Sequence, residues 1–307
     1  MKVAFCFPGQ GSQQVGMGRA MAEAFPEARA LFDEAADALG FDVANLCFEG
    51  PIEELTLTQR QQPALVATSL ACLRAIDSIG IRPDFVVGHS VGEYSALAAA
   101  RALEDRDAVA LVRERGEAMA EAADEHPGAM AAILGLEDAL VEELCREIGG
   151  VWPANYNCPG QLVVSGENAA VDRLLAEAAE RGARRTVKLR VSGAFHSPLV
   201  ERAAERLRPA LDAIAFHEPS PRFMSTVTAA LESAERIGAL LVEQLTGPVR
   251  FTQAVRGLAE QGVDTFVEIG PGQVLAGLIR RCDRSLRTFS VGDPESLGKL
   301  EKTLSAA

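Results

Sequence analysis

Apolar residues along the chain follow two rhythms. Short runs that end at glycine or turn residues predict buried strands, and longer stretches with apolar positions three and four apart predict helices. VAFCFPG reads as the first strand. Met21 to Leu39 reads as one amphipathic helix. The polar stretch EGPIEELTLTQRQQP (49–63) reads as a loop, and ALVATSLACLRAIDSIG as a helix that stops at Gly80. RPDFVVGHS is a strand running into a sharp turn, and YSALAAARAL is a tightly packing helix. Alternation of this kind predicts an α/β fold with a mostly parallel sheet covered on both faces.

The rhythm changes after His126-Pro127-Gly128. GAMAAILGL is strand-like, DALVEELCREI helical, VWPANYN and QLVVSG strand-like, NAAVDRLLAEAAERG helical and ARRTVKLRV again strand-like. This β-α-β-β-α-β order is the ferredoxin-like signature. It predicts a small unit over residues 128–192, inserted into a larger one made of 1–127 and 193–307. The α/β pattern then resumes: FMSTVT strand, ALLVEQL helix, VDTFVEIG strand, PGQVLAGLIRRC helix. The closing TLSAA is expected to fray.

Composition narrows the function. The 307 residues carry 30 Lys and Arg against 43 Asp and Glu, a formal charge of −13. That balance argues against nucleic acid or an anionic membrane as the main partner. No apolar run approaches the roughly twenty residues of a membrane span. MKVAFCFPGQ lacks the core and cleavage site of a signal peptide, so a cytoplasmic location is expected. The six scattered cysteines form no C-x-x-C pair and read as free, mostly buried thiols. With four unclustered histidines, a metal site is not expected.

The loop FCFPGQGSQQVGMG invites a nucleotide reading, and both versions fail. Gln14 stands where the dinucleotide fingerprint needs its third glycine. Met17 and Gly18 stand where a phosphate loop needs lysine and a hydroxyl residue. Gly88-His89-Ser90-Val91-Gly92, by contrast, fits the G-x-S-x-G nucleophile elbow, with a strand before it and a helix after it. Ser90 is therefore the candidate nucleophile. A serine needs a base. His89 lies inside the elbow and must point away from Ser90, while His126 and His217 lie in polar surface stretches. His196, in VSGAFHSPL, enters where the chain rejoins the main sheet and is the candidate base. Among Asp105, Asp107, Asp124, Asp138 and Asp172, none ends a core strand. A dyad, with the imidazole oriented by an amide or a backbone carbonyl, fits better than a triad.

Acyl transfer through serine also needs two N–H donors for a tetrahedral oxyanion, each worth about 3–4 kcal/mol of barrier. One is the Val91 N–H, directly after the nucleophile. The other is assigned to the Gln10 N–H in Pro8-Gly9-Gln10-Gly11, so the glycine-rich loop would face a transient oxyanion.

FPGQGSQ, TQRQQPALVATS, GHSVGEYSALAAA, RERGEAM, NYNCPGQLVVSG, VSGAFHSPL, EQLTGPVRF and VEIGPGQVL occur in this order. Together they resemble the malonyl-CoA:acyl carrier protein transacylases, loading enzymes of fatty-acid synthesis and kin of polyketide acyltransferase domains. The likeness runs from Val3 to about Arg281. It implies a hydrolase-like core with a ferredoxin-like insert and the transfer of malonyl from malonyl-CoA to the phosphopantetheine thiol of acyl carrier protein. No cofactor is implied beyond the coenzyme A thioester, which is itself substrate. By the same resemblance Ser90 would carry the malonyl ester and His196 would act as base and then acid. Gln10 and Val91 would form the oxyanion hole, and Gln244 would help orient His196. Arg115 would grip the malonate carboxylate; residue chemistry alone leaves it equal with Arg113 as a solvated helix charge. Phe195 resembles the malonyl-selective form of its block.

Carrier proteins of this kind are acidic, as is this chain, so a local basic patch would have to aid the encounter. RGARRTVKLR (Arg181, Arg184, Arg185, Lys188, Arg190) and GLIRRCDRSLR (Arg280, Arg281, Arg284, Arg287) are the candidates, each equally readable as a solvated face. A monomer is expected. The alternatives are a stand-alone acyltransferase serving a polyketide synthase, a serine thioester hydrolase with the same Ser90–His196 pair, and a carrier-binding module without chemistry.

Overall fold

In the computed structural model, which describes residues 1–305, ten strands form two sheets. The strands are β1 (Val3–Phe7), β2 (Phe85–Gly88), β3 (Gly128–Leu134), β4 (Val151–Cys158), β5 (Gln161–Glu167), β6 (Arg185–Lys188), β7 (Arg222–Met224), β8 (Leu231–Glu232), β9 (Thr265–Ile269) and β10 (Arg287–Val291). The larger sheet has the order β10-β9-β1-β2-β7-β8. Its first five strands are parallel, and β8 closes the edge antiparallel to β7.

The side-chain period of two explains why β1 is apolar at every position. Val3, Phe5 and Phe7 join one apolar cluster, with Val86 and Val267 from the neighbouring strands. Ala4 and Cys6 join the other, with Phe85, Val87 and Phe266. Both faces are covered, as a parallel sheet built by helical crossovers requires. The helices Thr58–Ser78 and Asp105–Glu125 pack together on the first face, and Phe251–Glu260 and Val274–Cys282 lie on the second.

The smaller sheet is built wholly from residues between 128 and 188, in the order β4-β5-β3-β6 and antiparallel throughout. The helices Asp138–Ile148 and Asn168–Glu180 bury Val141, Leu144, Val171 and Leu174 against one side of it. The β-α-β-β-α-β order read from the sequence is present. Only Arg185–Lys188 of ARRTVKLRV pairs as strand. Main chain ties β4 to the segment before the helix Phe251–Glu260: Tyr156 N–H donates to the Val249 carbonyl at 2.9 Å, and Val249 N–H to that of Ala154 at 2.8 Å.

Four local expectations are corrected. The predicted Met21–Leu39 helix is two, Arg19–Ala24 and Pro26–Leu39. Phe25 is extended because the residue before a proline avoids the helical region, and Pro26 opens the second helix. Residues 49–63 are not a loop: Ile52–Leu55 is helical, and the next helix starts at Thr58, five residues before Pro63. The polarity there misled because Gln61 and Gln62 are buried rather than solvated. Thr303–Ser305 continue the helix from Pro294 instead of fraying, and Ala306 and Ala307 lie outside the described residues. FMSTVT contributes strand only as far as Met224. No helix among the described residues is long and apolar enough to cross a membrane.

Candidate active site

Ser90 occupies the turn between β2 and the helix Gly92–Ala99 with φ of 54°, a left-handed conformation that non-glycine residues seldom adopt. The turn exists because position 92 has no side chain. A Cβ there would lie 2.2 Å from the Phe7 carbonyl oxygen. Gly9 reciprocates, since its Cβ would lie 2.5 Å from the His89 carbonyl oxygen. The loop after β1 therefore rests directly on the elbow after β2, and Gln10 and Val91 follow those contacts. Neither the Gln10 nor the Val91 N–H donates to a protein acceptor among the described residues. The Gln10 side chain is held by Gln61 Oε1 at 2.5 Å.

The imidazole of His196 arrives from the far side. Its Nε2 is 2.8 Å from Ser90 Oγ. Its Nδ1 is 2.8 Å from the Gln244 carbonyl oxygen and 3.2 Å from that of Gly247. Carbonyls only accept, so Nδ1 carries the proton, Nε2 is bare, and the Ser90 hydroxyl donates to it. Both carbonyls belong to the C-terminal end of the helix Ala234–Thr246, where the last carbonyls have no partner within the helix and partial negative charge accumulates. None of the five aspartates weighed above bonds to this imidazole. His196 is buried, as is Ser90. Burial, then the charge of Arg115, lowers the His196 pKa to about 3, so the ring is neutral at physiological pH.

Arg115 and Arg113 are now distinct. Arg113 lies at the surface against Glu114 and the carbonyls of Ala38 and Leu39. Arg115 is fully buried. Its Nη1 donates to Gln62 Oε1 at 2.6 Å, and its Nη2 to Gln244 Oε1 at 3.0 Å and to Ser90 Oγ at 3.1 Å. The Tyr94 ring lies 5.9 Å away. Every one of these acceptors is neutral, and Nε is buried without a partner. Removing a guanidinium from water costs several kcal/mol unless an anion meets it. Burial accordingly lowers its pKa from the ordinary arginine value.

The structure thus brings Ser90, His196, Arg115 and Gln244 together, with Gln10 and Val91 at the adjoining loop contact. One assignment changes in detail. Gln244 meets the imidazole through its main-chain carbonyl, while its side chain turns to Arg115 and Glu93. His89 points away as expected, its Nε2 2.8 Å from Asn157 Oδ1, which ties the elbow to β4. His126 and His217 are exposed, and five of the six free cysteines are buried. Phe195 is buried beside the histidine.

Sequence reasoning missed Gln62 and Glu93. The signal for Glu93 was a lone carboxylate opening the otherwise apolar EYSALAAA helix; for Gln62, a cluster of glutamines abutting a proline. Of the basic runs, Arg181 pairs with Glu147, Lys188 with Asp172 and, at 4.0 Å, Arg287 with Asp264. Arg184, Arg185, Arg190, Arg280, Arg281 and Arg284 join no ion pair among the described residues; Arg280 bonds to Thr288 and Arg281 to Gln161. No group of three or more His, Cys, Asp or Glu among those residues could hold a metal ion.

The site thus joins a serine elbow on a parallel sheet, a histidine facing it and a buried guanidinium. The acyl transferase domain family matches residues 4–306, and the chain belongs to that family. It is 48% identical to the malonyl CoA-acyl carrier protein transacylase of Bacillus subtilis strain 168, over 99% of this chain and 97% of the relative. It is 42% identical to the Escherichia coli K12 protein of the same name, over 96% and 97%. Among solved structures, the acyl-carrier-protein S-malonyltransferase of Burkholderia pseudomallei 1710b superposes with a TM-score of 0.95 at 43% identity, covering 98% of this chain and all of that one. A malonyl-transacylase solved in complex with its type II PKS acyl-carrier protein gives 0.96 at 41% identity, over 99% and 100%.

The loop contact makes a first prediction. Gly92→Ala forces a methyl into the Phe7 carbonyl and should destabilise the protein by about 1–3 kcal/mol, as overpacking does. A urea melt superimposable on that of the parent would show that the loop after β1 can move aside.

Proposed function

We propose that this enzyme transfers malonyl from malonyl-CoA to the phosphopantetheine thiol of an acyl carrier protein through a malonyl ester on Ser90. The observation that carries the reading is a fully buried arginine, lacking any carboxylate in contact, 3.1 Å from a serine that is itself 2.8 Å from a correctly tautomeric histidine. A surplus of guanidinium donors beside an acylatable oxygen fits an acyl group that ends in its own carboxylate, and bidentate pairs of this kind are about twice as strong as neutral hydrogen bonds. The names of the relatives agree with it.

In the first half-reaction His196 Nε2 takes the Ser90 proton as Oγ attacks the thioester carbonyl. The oxyanion is met by the Gln10 and Val91 N–H groups, which are free of protein acceptors. Collapse expels the coenzyme A thiolate, which takes the proton back from His196. The carrier thiol then attacks the ester by the same steps, regenerating Ser90. Exchange of one thioester for another is nearly isoenergetic, so the reading needs no nucleotide, metal or cofactor. We place the reaction in the cytoplasm and read 128–192 as an inserted unit between the two parts of the larger one. Arg184, Arg185 and Arg190 lead the chain toward His196 and are favoured on that ground for meeting an acidic carrier.

Intact-protein mass spectrometry after mixing with malonyl-CoA should show a malonyl adduct, lost in Ser90→Ala. Arg115→Ala should cut malonyl loading by about 100-fold or more while leaving acylation by the neutral ester 4-nitrophenyl acetate within a few-fold. An equal loss with both substrates would favour a plain serine hydrolase.

The lowered pKa of His196 sets the pH profile. The base works when neutral, and its depressed pKa keeps it neutral well below the usual histidine range. Acylation by the neutral ester should therefore stay flat from pH 8 down to about pH 5, where an ordinary histidine would already have lost most of its activity. In Arg115→Ala, with the cation removed, the acidic limb should move to higher pH. A limb centred near pH 6.5 in the parent enzyme would contradict the burial argument.

A further inference from the structure

The guanidinium of Arg115 is held by two amide oxygens, and an amide can present either end. What fixes the Gln244 end is Glu93. This carboxylate has no exposed surface. Its Oε1 accepts from the main-chain N–H of Thr226, from Thr226 Oγ1 at 2.8 Å and from Ser225 Oγ at 3.4 Å. Its Oε2 accepts from Gln244 Nε2. The same Nε2 donates to the Ser90 carbonyl at 3.1 Å. With both amide hydrogens committed, Gln244 Oε1 has one orientation left, toward Arg115 Nη2 at 3.0 Å.

We propose that Glu93 is a positioning residue for malonyl recognition: through Gln244 it holds the Arg115 guanidinium in the pose that receives the substrate carboxylate. The proposal rests on the reading of Arg115 as the carboxylate clamp. Glu93 touches neither Ser90 Oγ nor His196; it acts on Arg115 through the amide that holds the guanidinium and through its charge one amide away. Both of its oxygens face obligate donors, an N–H of the backbone on one side and an NH2 on the other. Only an ionised carboxylate satisfies both, since it accepts at either oxygen. The neutral isostere cannot. In Glu93→Gln, if the new amide turns its oxygen to Thr226, its NH2 meets the NH2 of Gln244. If Gln244 then flips, its NH2 is aimed at the Arg115 cation and its oxygen at the Ser90 carbonyl. If the new amide turns the other way, its NH2 faces the Thr226 N–H. Each arrangement leaves at least one pair of like groups in contact inside a dry site, which a neutral substitution at a surface would not do.

The test compares malonyl-CoA with 4-nitrophenyl acetate in the intact enzyme, measuring Ser90 acylation for both, with thermal unfolding alongside. Glu93→Gln should lower kcat/KM for malonyl-CoA by about 10–100-fold, chiefly through KM, and leave acylation by the neutral ester within about threefold. Thr226→Val removes one hydroxyl donor from Glu93, keeps the backbone N–H and preserves volume; it should move the same ratio in the same direction by a smaller factor. It also keeps the test decisive if Glu93→Gln does not fold. Equal loss with both substrates, in step with the melting temperature, would reduce Glu93 to a core-stabilising group and overturn the proposal. So would an unchanged ratio in Thr226→Val and Glu93→Gln while Arg115→Ala abolishes malonyl loading. If Arg115→Ala itself spares malonyl loading, the clamp reading fails first, and the inference falls with it.

Discussion

A cation enclosed without an anion at its side governs this structure. Arg115 projects from the helix Asp105–Glu125 into a space where water has been removed and only neutral oxygens remain. Such a group is costly to bury, and its surroundings show how the cost is contained. Gln62 comes from the polar opening of the helix Thr58–Ser78, Gln244 from the end of another helix, and Ser90 from the elbow. The nearest compensating charge, Glu93, stands one amide away. The arrangement keeps the guanidinium in place with both Nη2 hydrogens committed and its Nε–H left without a partner.

The same cation acts on the histidine. Burial is the largest cause of the low His196 pKa, and the charge of Arg115 is the next. In the proposed reaction the malonate carboxylate would cancel much of that charge on binding, returning basicity to Nε2 when the correct acyl group is seated. Recognition and base strength would then be coupled through a single guanidinium. A neutral acyl group would leave the base weakened, which places part of the selectivity in the proton-transfer step.

Much of this was legible in the chain. Strand β1 showed itself as an uninterrupted apolar run, and the elbow as five residues in the right context; both are governed by local sterics and period-two burial. The β-α-β-β-α-β order from β3 to β6 was likewise local. What escaped notice depends on tertiary surroundings. The start of the helix at Thr58 looked like loop because Gln62 serves a buried charge and Gln61 the Gln10 side chain, and only the glutamine cluster abutting Pro63 hints at that. β10 and the short β8 owe their pairing to the neighbouring strands β9 and β7. Arg115 and Arg113 sit two residues apart on one helix, so about 200° separates their directions and only packing tells which faces inward. Glu93 could be mistaken for an ordinary acidic residue in a first helical turn.

Gln244 divides two tasks between its main chain and its side chain. The imidazole is held by carbonyls at a helix end, atoms that every amino acid possesses, while the amide beyond them serves the arginine. Under the proposed function, exchanging the residue at this position would alter which acids the pocket welcomes without disarming proton transfer. In enzymes where an aspartate side chain steadies the histidine, that freedom is missing, because the orienting group is itself open to mutation.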